Sequence, residues 1–212
     1  MFYFLNNREI IVKILGKLEK TCYVGCSGGV DSMVLLHFLL KGRRQIEVLH
    51  VNHGTEDCKK AEEFIKTFCL LNKLPLHVGY YKDCNQTEEA WRNFRYNFFS
   101  NFTDKPIYLG HTLSDNIETY LLSSIKGTPK FIPYSRNNIA RPFLLSSKQE
   151  LIDYAIRNNI NWIEDPTNIQ SIYSRNKIRN QIIPVLKDIN PGLEKTFKTK
   201  CLNKYRQDGI FI

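Results

Sequence analysis

The stretch Tyr23–His37, YVGCSGGVDSMVLLH, decides the fold. Tyr23 and Val24 favour a strand. Ser27, Gly28 and Gly29 then interrupt it, and an almost wholly apolar segment follows with a single acid, Asp31, at its mouth. Glycines at a strand-to-helix turn let backbone N–H groups approach a ligand closely. The helix N-terminus adds partial positive charge, and together the two make an anion site. Ser27 and Ser32 can donate hydroxyl hydrogen bonds to the same anion. Asp31 would repel a bare phosphate, so it points to a bridging Mg²⁺ or to proton handling. The loop lacks G-x-x-x-x-G-K-[ST] and therefore has no lysine of its own. G-x-G-x-x-G is absent too, which argues against a dinucleotide fold. Two glycines alone would read as a tight turn; the full S-G-G-x-D-S between a strand and a buried helix says more.

Working outward, TCYVGCS reads as a strand, 30–41 as a helix, IEVLHVN as a strand and 56–72 as a helix. In that second helix Ala61, Phe64, Ile65, Phe68 and Cys69 follow the i, i+3, i+4, i+7, i+8 pattern. LHVGYY is a third strand, Thr87 a cap for a helix over 88–102, PIYLG a fourth strand and 114–126 a helix. Strands alternating with helices imply βαβ units and a parallel sheet. Their apolar character suits a sheet covered on both faces. Residues 8–18, with apolar side chains at 10, 11, 14, 15 and 18, predict a further helix before the first strand. After Lys126 the rhythm breaks. KGTPKFIPYSRNN reads as a surface loop, IARPFLL as a fifth short strand, and 147–158 and 174–188 as helices. Neither repeats nor low-complexity linkers interrupt the chain. In such sheets ligands bind beyond the carboxyl ends of the strands, where the strand order reverses. Cys26–Ser27, Asn52–His53, the loop of the 80s and Gly110–His111 all fall at that edge.

The 212 residues, 42% of them hydrophobic, supply one good-sized core. No apolar run is long enough to cross a bilayer, and MFYFLNNREI lacks the basic lead of a secretory signal. A soluble protein of a reducing compartment is expected. Cys22, Cys26, Cys58, Cys69, Cys84 and Cys201 form no C-x-x-C pair, so they read as free thiols rather than disulfides or zinc ligands. The net charge is +9. From Ser171 onward nine basic residues stand against Asp188, Glu194 and Asp208. Such a segment marks a phosphate-rich partner or a solvated face, and charge alone does not separate the two.

SGGVDS resembles the PP-loop of ATP pyrophosphatases, which split ATP to AMP and pyrophosphate while adenylating a substrate. The resemblance implies that Ser27, Gly28, Gly29, Val30, Asp31 and Ser32 cradle the pyrophosphate part of ATP. Further segments are similar to the tRNA(Ile)-lysidine synthetase family. HVNHG (His50–Gly54) follows the second strand. TEEAWRNFRYNFF (Thr87–Phe99) resembles that family's E-x-x-x-R-x-x-R-Y helix, with Glu88, Arg92, Arg95 and Tyr96 in place. Arg92 and Arg95 share a helix face and can grip one anion together; Trp91, Phe94, Phe98 and Phe102 are expected on its buried side. GHTLSDNIET matches G-H-x-x-D-D-x-x-E-T at His111, Asp115, Glu118 and Thr119, with Ser114 in place of the first acid. Arg141–Leu186 is similar to the family's R-P-L-L, W-x-E-D-x-[ST]-N and R-N-x-I-R run through Arg141, Pro142, Trp162, Glu164, Asp165, Thr167, Asn168, Arg175, Asn176 and Arg179. Arg175 and Arg179 present two guanidinium groups on one face, suited to adjacent phosphates or to a carboxylate.

The resemblance covers about residues 20–188 and implies an α/β, parallel-sheet PP-loop sandwich (adenine nucleotide alpha hydrolase-like) with appended C-terminal helices. Residues 1–188 would form the PP-loop ligase domain and 189–212 a short basic tail. It further implies that the wobble cytidine of the CAU-anticodon isoleucine tRNA is adenylated and then joined to free lysine, with ATP and Mg²⁺ required. Asp31, Arg92 and Arg95 are the expected catalytic residues, and Asp31 the metal ligand. His111, Asp115, Glu118, Asp165, Asn168, Arg175, Asn176 and Arg179 are expected to meet tRNA or substrate; Asp115, Glu118 and Asp165 are the unranked candidates for the lysine ammonium. A cytoplasmic site is expected, an organelle stroma or matrix being the variant, and a homodimer stays open. A sulfur-inserting tRNA thiolase and a non-catalytic tRNA-binding remnant are the competing readings.

Overall fold

Alternate side chains of the first strand go to opposite faces of a sheet, and that alternation organises the molecule. The computed structural model describes residues 12, 14–84, 87–164 and 174–210. Strand β1 (Thr21–Gly25) leads through the glycine turn into α1 (Val30–Lys41); β2 (Gln45–Asn52), α2 (Glu56–Leu71), β3 (Leu76–Tyr80), α3 (Glu88–Phe99), β4 (Ile107–Leu109) and α4 (Leu113–Ile125) follow. Then come a small hairpin of β5 (Ser135–Arg136) and β6 (Ile139–Ala140) and helix α5 (Lys148–Arg157). The sheet order is β3-β2-β1-β4-β6-β5, parallel except for β5.

From β1, Cys22 and Val24 pack with α1, α2 and α5 through Val34, Leu35, Ile65, Leu151 and Ala155. Tyr23 faces the other way, joining Leu49, Ile107 and Leu109 beneath Phe99 of α3. Both faces are covered, which is why α1 reads as nearly continuous apolar sequence: the sheet lies on one side and α5 on the other. On α3 only Phe99 is fully buried. Trp91, Phe94, Phe98 and Phe102 are half-buried.

The helix expected over 8–18 lies partly outside the described residues, and from residue 14 onward the chain is not helical. Gly16 adopts φ 73° and the Leu15 N–H donates to the Pro142 carbonyl at 2.9 Å. The apolar spacing there serves burial in an extended segment. The fifth strand is shorter than IARPFLL suggests: after β6 the chain turns at Arg141–Leu145, burying Phe143, Leu144 and Leu145.

At the C-terminal end α6 (Ser174–Lys177), a π-helical turn (Ile178–Ile182) and α7 (Ile183–Ile189) are consecutive, followed by α8 (Leu193–Gln207). Residues 189–212, expected as a short basic tail, thus carry a packed helix. Leu193, Phe197, Cys201 and Tyr205, four residues apart, bury one face of α8 with Leu113 and Ile117 of α4. The Tyr205 hydroxyl donates to the Ile132 carbonyl and accepts from Asn116, both at 2.7 Å. The α8 lysines, exposed at Lys195, Lys200 and Lys204 and half-buried at Lys198, surround this stripe and give the segment its tail-like sequence. Among the described residues, no helix is long and apolar enough to cross a membrane.

Candidate active site

Strand β1 stands between β2 and β4, so the chain order reverses across the β1/β4 crevice, where open α/β sheets bind ligands. The glycine turn lies at that crevice. Gly28 has φ +84°, a conformation that strains any residue with a Cβ, while Gly29 is the extended N-cap of α1. Ser32 Oγ donates to the Gly29 carbonyl at 2.9 Å and accepts the Ser27 N–H at 3.3 Å, closing the loop on itself. Ser27 Oγ stands 3.4 Å from Ser32 Oγ. The Ile163 N–H donates to the Gly28 carbonyl at 2.9 Å, bringing the Trp162–Glu164 segment alongside the loop. Across the crevice, a Cβ on Gly110 would meet the Asp31 carbonyl carbon and oxygen at 2.9 Å. A glycine at the end of β4 is what allows the two backbones to come this close.

Asp31 Oδ2 accepts from Lys148 Nζ at 2.7 Å, whereas Oδ1 is buried without a hydrogen-bond partner. Burial raises the Asp31 pKa above its ordinary value, with Lys148 opposing the shift. No cluster of three or more His, Cys, Asp or Glu side chains suited to a metal occurs among the described residues. Mg²⁺ does not need one: it keeps several waters and takes one or two carboxylates together with substrate phosphates. An orphaned Asp31 oxygen beside an anion-binding turn fits that requirement.

Above the crevice α3 brings Arg92 and Arg95 to one ring: their guanidinium carbons lie 5.0 and 5.9 Å from the Tyr96 centroid. Buried Arg141 donates through Nη2 to the Tyr96 hydroxyl at 3.2 Å and through Nη1 to the Pro133 carbonyl at 3.0 Å. Burial works against a Tyr96 phenolate, yet Arg141 and the α3 arginines bring its pKa below the ordinary value. Burial, followed by repulsion from Arg92 and Arg175, lowers the Arg95 pKa. His53 stacks on Trp91, centroids 5.2 Å apart, and burial aided by Arg95 lowers its pKa to about 4. His50 bonds the Cys26 carbonyl through Nδ1 at 2.9 Å, fixing the turn from the side of β2.

His111 sits where β4 gives way to α4. Burial lowers its pKa to about 3 despite the neighbouring Asp115, and Arg141, Arg95 and Arg175 add to the shift. It is therefore a neutral imidazole with Nδ1 unpartnered. Asp115 closes a capping box: Oδ2 accepts from the Thr112 N–H at 2.8 Å and its hydroxyl at 2.9 Å. Burial opposes its charge, but His111, these bonds and Arg175 hold it below the usual carboxylate range. A capping role accounts for one of its oxygens whatever stands at Ser114.

Glu118 is where the expectations change most. It is fully buried, and both C-terminal arginines grip it. Arg175 Nε donates to Oε2 at 2.9 Å; Arg179 Nε donates to Oε1 at 2.6 Å and Nη2 to Oε2 at 3.1 Å. Arg175 Nη2 also reaches Thr119 Oγ1 at 3.0 Å. The carboxylate that two guanidinium groups on one face could bind is thus supplied by α4 itself. Arg175 and Arg179 both bond to Glu118, whose carboxylate is buried. Asn176 lies between them on α6, half-buried. Asp165, Thr167 and Asn168 lie outside the described residues.

Sequence reasoning missed Lys148 as a member of the site. The signal is readable in retrospect: Ser147 and Glu150 form a capping box, and Lys148 puts a cation in the first helical turn, where the helix dipole disfavours one. Arg141 was matched as part of a motif but not placed in the site, and its contact with Tyr96 needs the fold.

Residues 5–186 match the family model described as a PP-loop domain. The tRNA(Ile)-lysidine synthase of Buchnera aphidicola subsp. Acyrthosiphon pisum is 36% identical, covering 95% of this chain and 52% of its own length. That of Petrotoga mobilis is 33% identical over 92% of this chain and 70% of its own length; for that of Thermotoga maritima the values are 33%, 81% and 46%. The chain spans about half the length of most of these curated relatives. Among solved structures, the NH3-dependent NAD synthetase of Campylobacter jejuni superposes with a TM-score of 0.50 at 16% identity, covering 86% of this chain and 84% of that one, which is a likeness of fold. Loop, crevice, arginine helix and sequence agree, and the chain belongs to the PP-loop domain family and to the tRNA(Ile)-lysidine synthase family within it.

Proposed function

We propose that the protein is an ATP-dependent ligase that joins free lysine to the wobble cytidine of the CAU-anticodon isoleucine tRNA, forming lysidine. The observation that carries this reading is the S-G-G-x-D-S turn at the β1/β4 crevice, with Asp31 half-coordinated and Arg92, Arg95 and Arg141 gathered at Tyr96. O2 of the cytidine attacks the α-phosphorus of ATP and pyrophosphate leaves. The ε-amine of lysine then attacks C2, and AMP departs with the former O2.

Ser27, Ser32 and the N–H groups at Gly28–Ser32 receive the pyrophosphate, whose charge the α1 N-terminus favours. Asp31 would hold Mg²⁺ through Oδ1, where the ion supplies neutralisation of the departing pyrophosphate. Arg92 and Arg95 position ATP or the anticodon backbone. His111, neutral across the physiological range, serves as a hydrogen-bonding group rather than as an acid. Arg175 and Arg179 act through Glu118, fixing α6 and the π-helical turn against α4.

The thiolase reading loses support from the thiols. Burial pushes Cys22 to about 11 and Cys69 and Cys201 to about 12, and raises Cys26 as well, so all four are protonated near neutrality. Bacterial relatives favour a cytoplasmic setting. The test is ATP-dependent incorporation of labelled lysine into the isoleucine tRNA, with AMP and pyrophosphate in equal amounts. Binding of tRNA without incorporation would show a remnant, and consumption of a sulfur donor a thiolase.

A further inference from the structure

Helix α5 begins at Lys148, and its N-terminus is complete without that side chain: Ser147 accepts the Glu150 N–H and Glu150 returns to the Ser147 N–H. A cation at this place is opposed by the helix dipole. Its ammonium nevertheless spans 117 residues of sequence to bond Asp31 Oδ2 at 2.7 Å. The other oxygen of the same carboxylate is buried and unpartnered. Half of the carboxylate is therefore held, and the other half is poised for a second cation. The remaining charges that Asp31 feels, Arg179 and Asp115, are opposite in sign, so Lys148 decides the local balance.

We propose that Lys148 is a built-in counter-ion that keeps a divalent cation off Asp31 until a polyphosphate arrives and draws the ammonium away. The proposal rests on the ATP-splitting reading for the identity of that polyphosphate. An ammonium and a divalent ion on one carboxylate repel each other at short range. A pyrophosphate seated on the α1 N-terminus changes both sides of the contest. It offers the half-exposed ammonium a partner with more negative charge, and it adds oxygens to the metal's coordination set. Lysine suits the hand-over because its point charge rides on a flexible four-carbon stem. The loop carries no lysine of its own, and α5 supplies one from outside. Metal and nucleotide then enter together, and the free protein does not load the metal alone.

The experiment is Mn²⁺ binding to the full chain, followed by electron paramagnetic resonance, for wild type, Lys148→Met, Lys148→Arg and Lys148→Met/Asp31→Asn, without and with saturating pyrophosphate. Thermal melting checks that each variant is folded. Without pyrophosphate, Lys148→Met is expected to bind Mn²⁺ about tenfold more tightly than wild type, the size of effect that one removed like charge at 4–6 Å produces. Lys148→Arg is expected to behave as wild type, and the double variant to lose the gain. With pyrophosphate, the difference between wild type and Lys148→Met is expected to vanish. Equal Mn²⁺ affinities in the free proteins would overturn the counter-ion role. A tenfold gap that persists with pyrophosphate bound would overturn the hand-over. If none of the four proteins binds pyrophosphate, the ATP-splitting reading falls, a result distinct from the Mn²⁺ comparison made in its absence.

Discussion

Replacing Glu118 by Gln is the most direct probe of how the C-terminal helices are held. In the folded protein the Glu118 side chain is 1% exposed, Arg175 25% and Arg179 37%. Three guanidinium hydrogen bonds between 2.6 and 3.1 Å converge on its two oxygens. Removing one partner of a buried pair costs about 3–5 kcal/mol because the other charge is left uncompensated. Both arginines retain some contact with water, Arg179 more than a third of its side chain, so screening reduces that figure to about 2–3 kcal/mol. For a chain of this size that is a fall of roughly 5–10 °C in melting temperature. Calorimetry of Glu118→Gln against wild type measures it. Arg175→Met and the double variant complete a cycle whose coupling should exceed about 1 kcal/mol. The distinguishing readout is hydrogen exchange: amides of 174–189 should lose protection while those of β1 and β2 keep theirs. A Glu118→Gln protein that melts within about 1 °C of wild type, a shift well under the 2–4 °C that 1 kcal/mol produces, would refute the claim that this carboxylate anchors the helices.

Gly110→Ala should damage the loop without removing any polar group. The added methyl meets backbone at 2.9 Å, an overpacking of about 1–3 kcal/mol, and ATP affinity measured by calorimetric titration should fall with it. Unchanged affinity would show that β4 and α1 can move apart freely. Burial opposes the charge of Glu62, but Lys66, Asn52 and Tyr80 hold its pKa down at about 2. A depressed folded-state pKa gives stability that is present above the unfolded value near 4.5 and is lost as pH falls toward 2. Urea titrations from pH 5 to 2.5 should show wild type losing about 1–2 kcal/mol more than Glu62→Gln; parallel curves would contradict the assignment. Exposed Cys84 and half-exposed Cys58 should react quickly with a disulfide reagent at pH 8, while the four buried thiols react only on unfolding. Fast reaction of more than two thiols would mean that the core clusters open readily.

Much of the architecture was legible because it depends on local chemistry. The glycine turn, Thr87 as the α3 cap and the apolar stripe of α2 each declare themselves within a few residues, and the structure follows them closely. What failed shares a cause. Positions 10, 11, 14, 15 and 18 were spaced like a helix face, yet Gly16 and a bond from Leu15 to Pro142 draw the described part of the segment across the end of β6. The α8 lysines concealed a four-residue stripe of Leu193, Phe197, Cys201 and Tyr205 whose partner surface on α4 lies about 80 residues away. In both cases periodicity recorded burial correctly, but the element or its partner was set by long-range contacts that no window of sequence contains.

The two arginine pairs show why motif spacing alone does not assign a role. Arg92 and Arg95 on α3 and Arg175 and Arg179 on α6 and the adjoining π-helical turn look equivalent in sequence: each pair can close on one anion. What separates them is whether the chain provides that anion. Glu118, buried by α4, neutralises the second pair and makes it part of the frame. Around the first pair the fold supplies a ring, a phenol and another arginine, with Trp91 Nε1 and Arg95 Nε unpartnered. Arg95 is desolvated and repelled by its neighbour Arg92, a cost that an anion between them would lower. An external phosphate or nucleotide relieves that cost at the α3 arginines and gains nothing comparable at Glu118. On the proposed function, positive charge left uncompensated by the fold, more than the count of arginines, is what would draw an anionic substrate to the α3 pair.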